Sequence, residues 1–458
     1  MKQERSNFSS RIGFVLAAAG SAVGLGNIWR FPYLAAQYGG GIFLLVYLIL
    51  AVTFGFTLMI TEIAIGRGTK LSCIGAYRKL DQRFGFLGWI ASIIPIIIVP
   101  YYCVIGGWIL KYLAVFTTGY GSNVAADADQ FFSSFIAVKQ SGLFQHPMLW
   151  FVIFVLANTV VVICGVQKGV EKVSRIMMPL LVVLSIIVAV FAITMPGAGA
   201  GIKYYLMPDF SKFSPMTVLA AMGQLFYSMS LAMGIMITYG SYMKKEDDLE
   251  RSVAQIELFD TAIAFIAGLM IIPAVFAFSG GDESALSAGP GLMFITIPKV
   301  FEAMKFGHII GTIFFLLVLF AALTSSISLM ETVVSIVQDK LHWGRKKSTI
   351  IVTIGILLLG SLSCLGYGPL SGIQLLGRSF LDFFDFVANS LLMPVVAFLT
   401  CILVGHIVGT KFVADEVKLS GQFKREKLFV VMVRWIAPIC IVAILLGSIA
   451  EGLGWLKF

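Results

Sequence analysis

Charge is scarce in this sequence, and the scarcity excludes most soluble folds. Of 458 residues, 12% are Asp, Glu, Lys or Arg and 59% are hydrophobic. Soluble domains carry roughly 25% charged residues. Histidine is nearly absent: His146, His308, His342 and His406 fall near span ends or in loops. No nucleophile–base pair or metal cluster falls mid-span, which argues against an intramembrane enzyme. The cysteines (Cys73, Cys103, Cys164, Cys364, Cys401 and Cys440) lie mostly inside apolar stretches. They form no close metal-ligand pair and no disulfide framework, so they read as small apolar packing residues. A cleaved secretory signal is also missing. The first hydrophobic stretch begins after Arg11, runs past Pro32 with polar groups inside it, and lacks a small-residue cleavage site. It reads as a membrane helix.

What the chain does have is apolar length. About eleven stretches approach or exceed the roughly 20 residues that span a bilayer. Their limits are 11–36, 41–66, 87–116, 148–165, 171–195, 215–242, 252–278, 308–340, 348–366, 373–404 and 428–455. The net charge of +9 collects in alternate short loops, around Arg67 to Arg83, Lys168 to Arg175, Lys244 to Arg251, Arg345 to Lys347 and Lys411 to Lys427. Positive charge in every second loop marks the cytoplasmic side. It reports topology and argues against nucleic-acid binding. The N-terminus is expected inside and, with an odd number of spans, the C-terminus outside. The expected outer segments are 117–147, 196–214 and 279–307. The last carries Gly280, Gly281, Gly289, Pro290 and Gly291 before an apolar run at 292–302, and reads as a folded-back loop. Segment 405–427 reads as an inner connection.

Spans one and six are interrupted. The first holds Gly20, Gly24, Gly26, Asn27 and Arg30; the sixth holds Gln224, Tyr227, Ser228, Ser230, Gly234 and Thr238. Glycine weakens a helix by about 1 kcal/mol against alanine. Unwound backbone at membrane depth survives only when buried in protein or lining a cavity. One glycine-rich span is explained by close packing. Two, five spans apart, point to a midplane site between two inverted halves.

Asn27, Arg30, Asp260, Asp382 and Asp385 are the polar groups most out of place. Inserting an ionisable group costs at least ~2.5–3.5 kcal/mol, so each needs a partner or a cavity. Arg30 and Asp385 suit a pairing across an outer vestibule, or a static bridge between helices. Asp260 suits a bound hard cation, with Asn27 and Ser228 adding neutral oxygens, or a proton relay. Thr324, Ser325 and Ser326 form a hydroxyl run that either bonds its own backbone or faces freed carbonyls.

RIGFVLAAAGSAVGLGNIWRFP (11–32) closely resembles the first helix of the neurotransmitter:sodium symporters. IPIIIVPYYCVIGGW (94–108), GQLFYSMSLAMGIMITYGSY (223–242), AALTSSISLM (321–330) and FLDFFDF (380–386) resemble their third, sixth, eighth and tenth helices. The rule about paired broken helices was itself drawn from such transporters, so it is not independent of this resemblance.

The resemblance implies an all-α membrane protein, with an inverted five-plus-five helix repeat (1–195 and 215–404) followed by an inner connection and an eleventh helix (405–458). It implies a secondary transporter, not an enzyme, in a prokaryotic plasma membrane, driven by two sodium ions. One sodium site would use Ala22, Asn27, Ser228 and Asp260. The other would use Gly20, Val23, Ala321, Thr324 and Ser325. The L-amino acid would meet Ser21, Ala22, Leu25, Gly26, Ile98, Tyr102, Tyr227, Ser228, Ser230, Met233, Ser325 and Leu329. Many relatives place phenylalanine at Met233; the flexible methionine favours a large apolar or aromatic substrate, or simply fills a gap. Arg30, Tyr227 and Asp385 would form an outer gate. Arg5, Phe8, Ser241, Tyr242 and Asp339 would form an inner one. Gly169 and Pro179 match a fifth-helix motif linked to inner opening. Asp260 supplies a fixed charge where chloride-dependent relatives carry neutral residues, which implies chloride independence. Ala232 replaces a common glycine and leaves the extent of unwinding in span six open. A proton-coupled carrier and a channel or substrate sensor are the rival readings.

Overall fold

The computed structural model describes residues 7–139, 141–280, 290–302, 304 and 306–452, and among these it contains no β-strand. Arg5, Gly281 and Gly289 lie outside the described residues. Eight continuous helices are long and apolar enough to cross a membrane. These are α3 (Gly41–Thr69), α4 (Gln82–Thr117), α6 (Val166–Ile193), α10 (Leu249–Ser279), α11 (Gly307–Leu341), α12 (Arg345–Leu365), α13 (Phe380–Ile407) and α14 (Glu426–Ala450). A ninth crossing is the pair α1 (Arg11–Ala22) and α2 (Gly26–Gln37), bent by 53°. Among the described residues, the shorter apolar α5 (Pro147–Ile163) and the interrupted pair α8 (Pro215–Ser228) and α9 (Ile235–Tyr242) lie at the positions of the two remaining expected spans. Between α6 and α8 lies a short helix, α7 (Ala198–Leu206). The protein is a multi-span helical membrane protein.

Local sequence sets where the broken helices start. Ser10 caps α1, its hydroxyl accepting from the Gly13 N–H at 3.1 Å. Ser214 and Thr217 close a reciprocal capping box on α8, with Pro215 at the first helical position. Asp248 caps α10 by accepting from the Arg251 N–H at 2.9 Å. Helix α1 stops at Val23, which is extended (φ −70°, ψ 102°). Beyond Ser228 the chain leaves helical geometry until Ile235, with positive φ at Ser230 (53°), Ala232 (60°) and Gly234 (73°). The alanine therefore does not prevent unwinding. It occupies a left-handed conformation that costs a non-glycine residue about 1–2 kcal/mol.

The broken pairs sit inside a cage of whole helices. Helix α1 packs against α6, α10 and α11, and α9 lies along α3. Prolines 95 and 100 within α4, 179 within α6 and 273 within α10 do not end those helices. Lipid-facing positions such as Ile350, Ile354 and Leu358 of α12 are exposed and apolar, as expected where hydrocarbon is the solvent. The run at 292–302 is helical and too short to span. Its Phe294 packs on Trp29, Trp108 and Phe132.

Candidate substrate and cation site

The two breaks face each other and are stitched together. The Ser230 hydroxyl donates to the Ser21 carbonyl at 2.9 Å, and the Gln224 amide donates to the Gly26 carbonyl at 2.8 Å. Between them lies a cavity of about 30 Å³. Every residue expected to contact substrate lines it except Ser228, and Gly24 joins them. A side chain at Gly24 would sit 2.7 Å from the Ser325 hydroxyl, and one at Gly26 would sit 2.5 Å from the Tyr227 ring. Both positions need glycine for that close approach. The Tyr102 hydroxyl accepts from the Leu25 N–H at 3.3 Å. Leu25 and Gly26 thus stand beside the cavity at the N-terminal end of a helical segment, where the positive end of the helix dipole favours an anion.

Ser228 lies behind the cavity, on Asp260. The Asp260 carboxylate is fully buried. It accepts from the Asn27 amide at 2.8 Å and from the Ser228 hydroxyl at 2.8 and 3.0 Å. It also accepts from the Tyr47 hydroxyl at 3.3 Å. Asn27 turns its nitrogen toward the carboxylate, while its oxygen accepts from the Gly24 N–H at 3.0 Å. One carboxylate and neutral oxygens make a hard donor set.

A second oxygen cluster contains no acid. The Ser325 hydroxyl lies 3.3 Å from the Gly20 carbonyl, 3.0 Å from that of Ser21 and 3.1 Å from that of Val23. The Thr324 hydroxyl lies 3.2 Å from the Ala321 carbonyl. Ser326 points elsewhere and bonds the Asn158 amide oxygen at 2.7 Å.

Around the outer rim, Arg30 and Asp385 make no direct ion pair among the described residues. The Arg30 guanidinium donates to the Gly223 carbonyl at 3.3 Å and lies 5.4 Å over the Tyr227 ring. Asp385 accepts from the Tyr101 hydroxyl at 2.8 Å and from the Asn389 amide. Tyr227 stands over the cavity and under Arg30. Asp382 caps the start of α13 with Ser379. At the inner rim, Phe8 is fully buried among Phe14, Tyr239 and Tyr242. Ser241 donates to the Thr238 carbonyl, and the Asp339 carboxylate accepts from the Ser72 N–H at 2.8 Å. Helix α6 runs unbroken through Gly169 and Pro179.

The sequence reading passed over three buried polar residues. Tyr47 braces Asp260. Glu62 accepts from the Ala232 N–H at 2.6 Å, and its second oxygen has no partner. Glu331 accepts from the Tyr242 hydroxyl at 2.9 Å and pairs with Arg345. Glu62 and Glu331 carry the same signal that identified Asp260, an acid inside an apolar span.

Comparisons with known proteins agree with this geometry. The family described as the Sodium:neurotransmitter symporter family matches residues 5–122 and 120–453. An uncharacterized sodium-dependent transporter of Bacillus subtilis is 35% identical over 453 residues, covering 98% of both chains. A sodium- and chloride-dependent GABA transporter 2 of Homo sapiens is 27% identical, over 91% of this chain and 75% of that one. The crystal structure of MhsT in complex with L-phenylalanine superposes with a TM-score of 0.87 at 38% identity, over 97% of this chain and 100% of that chain. The match runs over nearly the whole length of the chain, which therefore belongs to the sodium:neurotransmitter symporter family and is a sodium-dependent transporter, not an enzyme.

Proposed function

We propose that this transporter carries large apolar or aromatic L-amino acids into a prokaryotic cell with two sodium ions and without chloride. The observation that carries this reading is the Asp260 carboxylate, buried beside the cavity with Asn27 and Ser228 on it. It is a fixed negative charge where the chloride-dependent members of the resemblance have none. A similar solved protein binds L-phenylalanine, and the flexible Met233 with Ile98 and Leu329 makes the cavity apolar on its side-chain end.

Residues 1–195 and 215–404 would form the two inverted halves, with 405–458 following them. The N-terminus would face the cytoplasm and the C-terminus the outside, in the plasma membrane. The substrate carboxylate would meet the amides near Leu25 and Gly26 and the Tyr102 hydroxyl. Its ammonium would meet carbonyls at Ser21, Ala22, Tyr227, Ser228 and Ser230. The first sodium would be held by the Ala22 carbonyl, Asn27, Ser228 and Asp260. The Asn27 amide must then turn to present its oxygen. The second would be held by Gly20, Val23, Ala321, Thr324 and Ser325.

Binding draws the two broken helices together, so cation and substrate complete each other's coordination. Tyr227, Arg30 and Asp385 then close the outer side. Separation of Phe8 from Tyr239 and Tyr242, with Ser241 and Asp339 at the same rim and the Gly169–Pro179 stretch of α6 loosening, opens the inner one. Each sodium moved across 100 mV releases about 2.3 kcal/mol, so two release about 4.6.

Uptake of radiolabelled amino acids into proteoliposomes under imposed sodium or proton gradients tests this. Accumulation of phenylalanine or leucine is expected with sodium alone. Uptake driven by a pH gradient in sodium-free medium would replace the reading with a proton-coupled one.

A further inference from the structure

Helix α14 carries a charge that the transport site does not use. Arg434 stands about 12 Å along the helix from Glu426, its first residue. An ionisable group inside a span needs a partner or a route to the interface. The Arg434 Nε donates to the Gly405 carbonyl at 3.1 Å, and its Nη2 lies 3.5 Å from the Thr410 hydroxyl. Both partners are neutral. Among the described residues no carboxylate pairs with Arg434, and its Nη1 has no partner. The acids of the neighbouring inner connection are engaged elsewhere. Glu416 pairs with Arg67 at 2.9 Å and Glu426 with Lys418 at 2.8 Å. Asp415 follows Lys411 by four residues, on the same face of the short helix Lys411–Lys418.

The packing of α13 against α14 sets the direction of this side chain. Each helix has one wide turn, Leu403–Ile407 and Met432–Ile436, and the two turns pack together. A side chain at Gly405 would meet the Arg434 Cα at 3.4 Å and its Cγ at 3.5 Å, so the arginine stem crosses α13 at that glycine. From there the guanidinium extends toward Thr410, beyond the inner end of α13. This is how a long basic side chain carries its charge toward the membrane boundary. The His406 Nε2 donates to the Arg434 carbonyl at 3.1 Å, and its ring stands edge-on to Trp435. Trp435 is 63% exposed and Ile439 70%, so the flank faces lipid. Tryptophan marks the boundary level of a span. Lys427 is exposed on the same side of α14, about 10 Å nearer its inner end.

We propose that the seam between α13 and α14 binds an anionic phospholipid of the inner leaflet. Its phosphate is held by the Arg434 guanidinium through Nη1, Lys427 adds the second positive charge, and its first acyl carbons lie along Trp435 and Ile439. A guanidinium fork matches phosphate, and basic pockets between spans on the cytoplasmic side take anionic headgroups. The apolar flank gives the acyl chain a place that a free anion cannot use. The leaflet rests on the orientation proposed above. An inverted topology would move the site to the other leaflet without altering retention.

The test is native mass spectrometry of the full-length protein from nanodiscs of phosphatidylglycerol and phosphatidylcholine with identical chains. The wild type is expected to retain phosphatidylglycerol preferentially. Arg434→Gln and Lys427→Gln should each weaken retention about fivefold, the change that corresponds to about 1 kcal/mol per basic residue. The double variant should weaken it about 25-fold, and Trp435→Ser should weaken it with no change in charge. Lys427→Gln alters an exposed side chain, so it decides the matter even if Arg434→Gln fails to fold. Lys139→Gln, on the outer segment 117–147, should match the wild type. Wild-type retention by Lys427→Gln or by the double variant, equal retention of phosphatidylcholine, or displacement by millimolar inorganic phosphate would each overturn the proposal. The readout is lipid retention rather than uptake, so its failure leaves the transport reading standing.

Discussion

The two oxygen clusters flanking the unwound part of span one differ in a single respect that decides their chemistry. The cluster at Asp260 contains a carboxylate and three donors, from Asn27, Ser228 and Tyr47. The cluster at Ser325 contains only hydroxyls and carbonyls. On the proposed reading, a cation at the first would be neutralised by a fixed charge. A cation at the second is held by dipoles alone and depends on backbone geometry. On the proposed reading the difference would place anion dependence at Asp260 and conformation dependence at Ser325. The same donors that face Asp260 would face a bound anion if that charge were removed.

Four substitutions would break or sharpen this contrast. Asp260→Asn should have the largest effect, lowering apparent sodium affinity about 30-fold in chloride-free medium. That is about 2 kcal/mol, the range for hydrogen bonds and contacts of a charged group. Sodium titration of uptake checks it. Ser325→Ala removes a hydroxyl that joins three carbonyls. It should cost about tenfold in sodium affinity, and chloride should not restore it; a chloride response here would erase the distinction between the clusters. Tyr47→Phe removes one weak donor from Asp260 and should change sodium affinity only about threefold, with uptake kinetics as the readout. Ala232→Gly touches neither cluster. It relieves the left-handed alanine and should raise stability by about 0.5–1 kcal/mol in thermal unfolding, leaving sodium affinity unchanged. A large affinity change would show that the break in span six, and not its ligands, sets the first cluster.

Much of this site was legible from single residues. Glycines and hydroxyls in apolar spans located both breaks, and the resemblance at 11–32, 223–242 and 321–330, together with the acid Asp260 inside span seven, supplied residues that the structure brings together in the two clusters. What escaped was relational. Tyr47 reads as an ordinary aromatic in an apolar span until it is placed 3.3 Å from Asp260. Glu62 carried a usable signal, but nothing in the sequence shows that its partner is the Ala232 N–H, 170 positions away. The backbone at Ala232 is unwound, with its amide on Glu62, so a missing glycine was a poor guide. Arg30 and Asp385 were paired by charge and by the family resemblance. Tyr101, 284 positions from Asp385, takes that carboxylate instead. The outer segment 196–214 hid a helix too short for span criteria, whose position is set by α10 and not by its own periodicity.

The central claim is that Asp260 does for this chain what chloride does for others. Sodium-driven amino-acid uptake should be measured in proteoliposomes with chloride replaced by gluconate on both sides, for the wild type and for Asp260→Asn. The account predicts full uptake by the wild type in both anions, and uptake by the variant that returns only when chloride is present. A wild type that requires chloride, or a variant indifferent to it, would contradict the account.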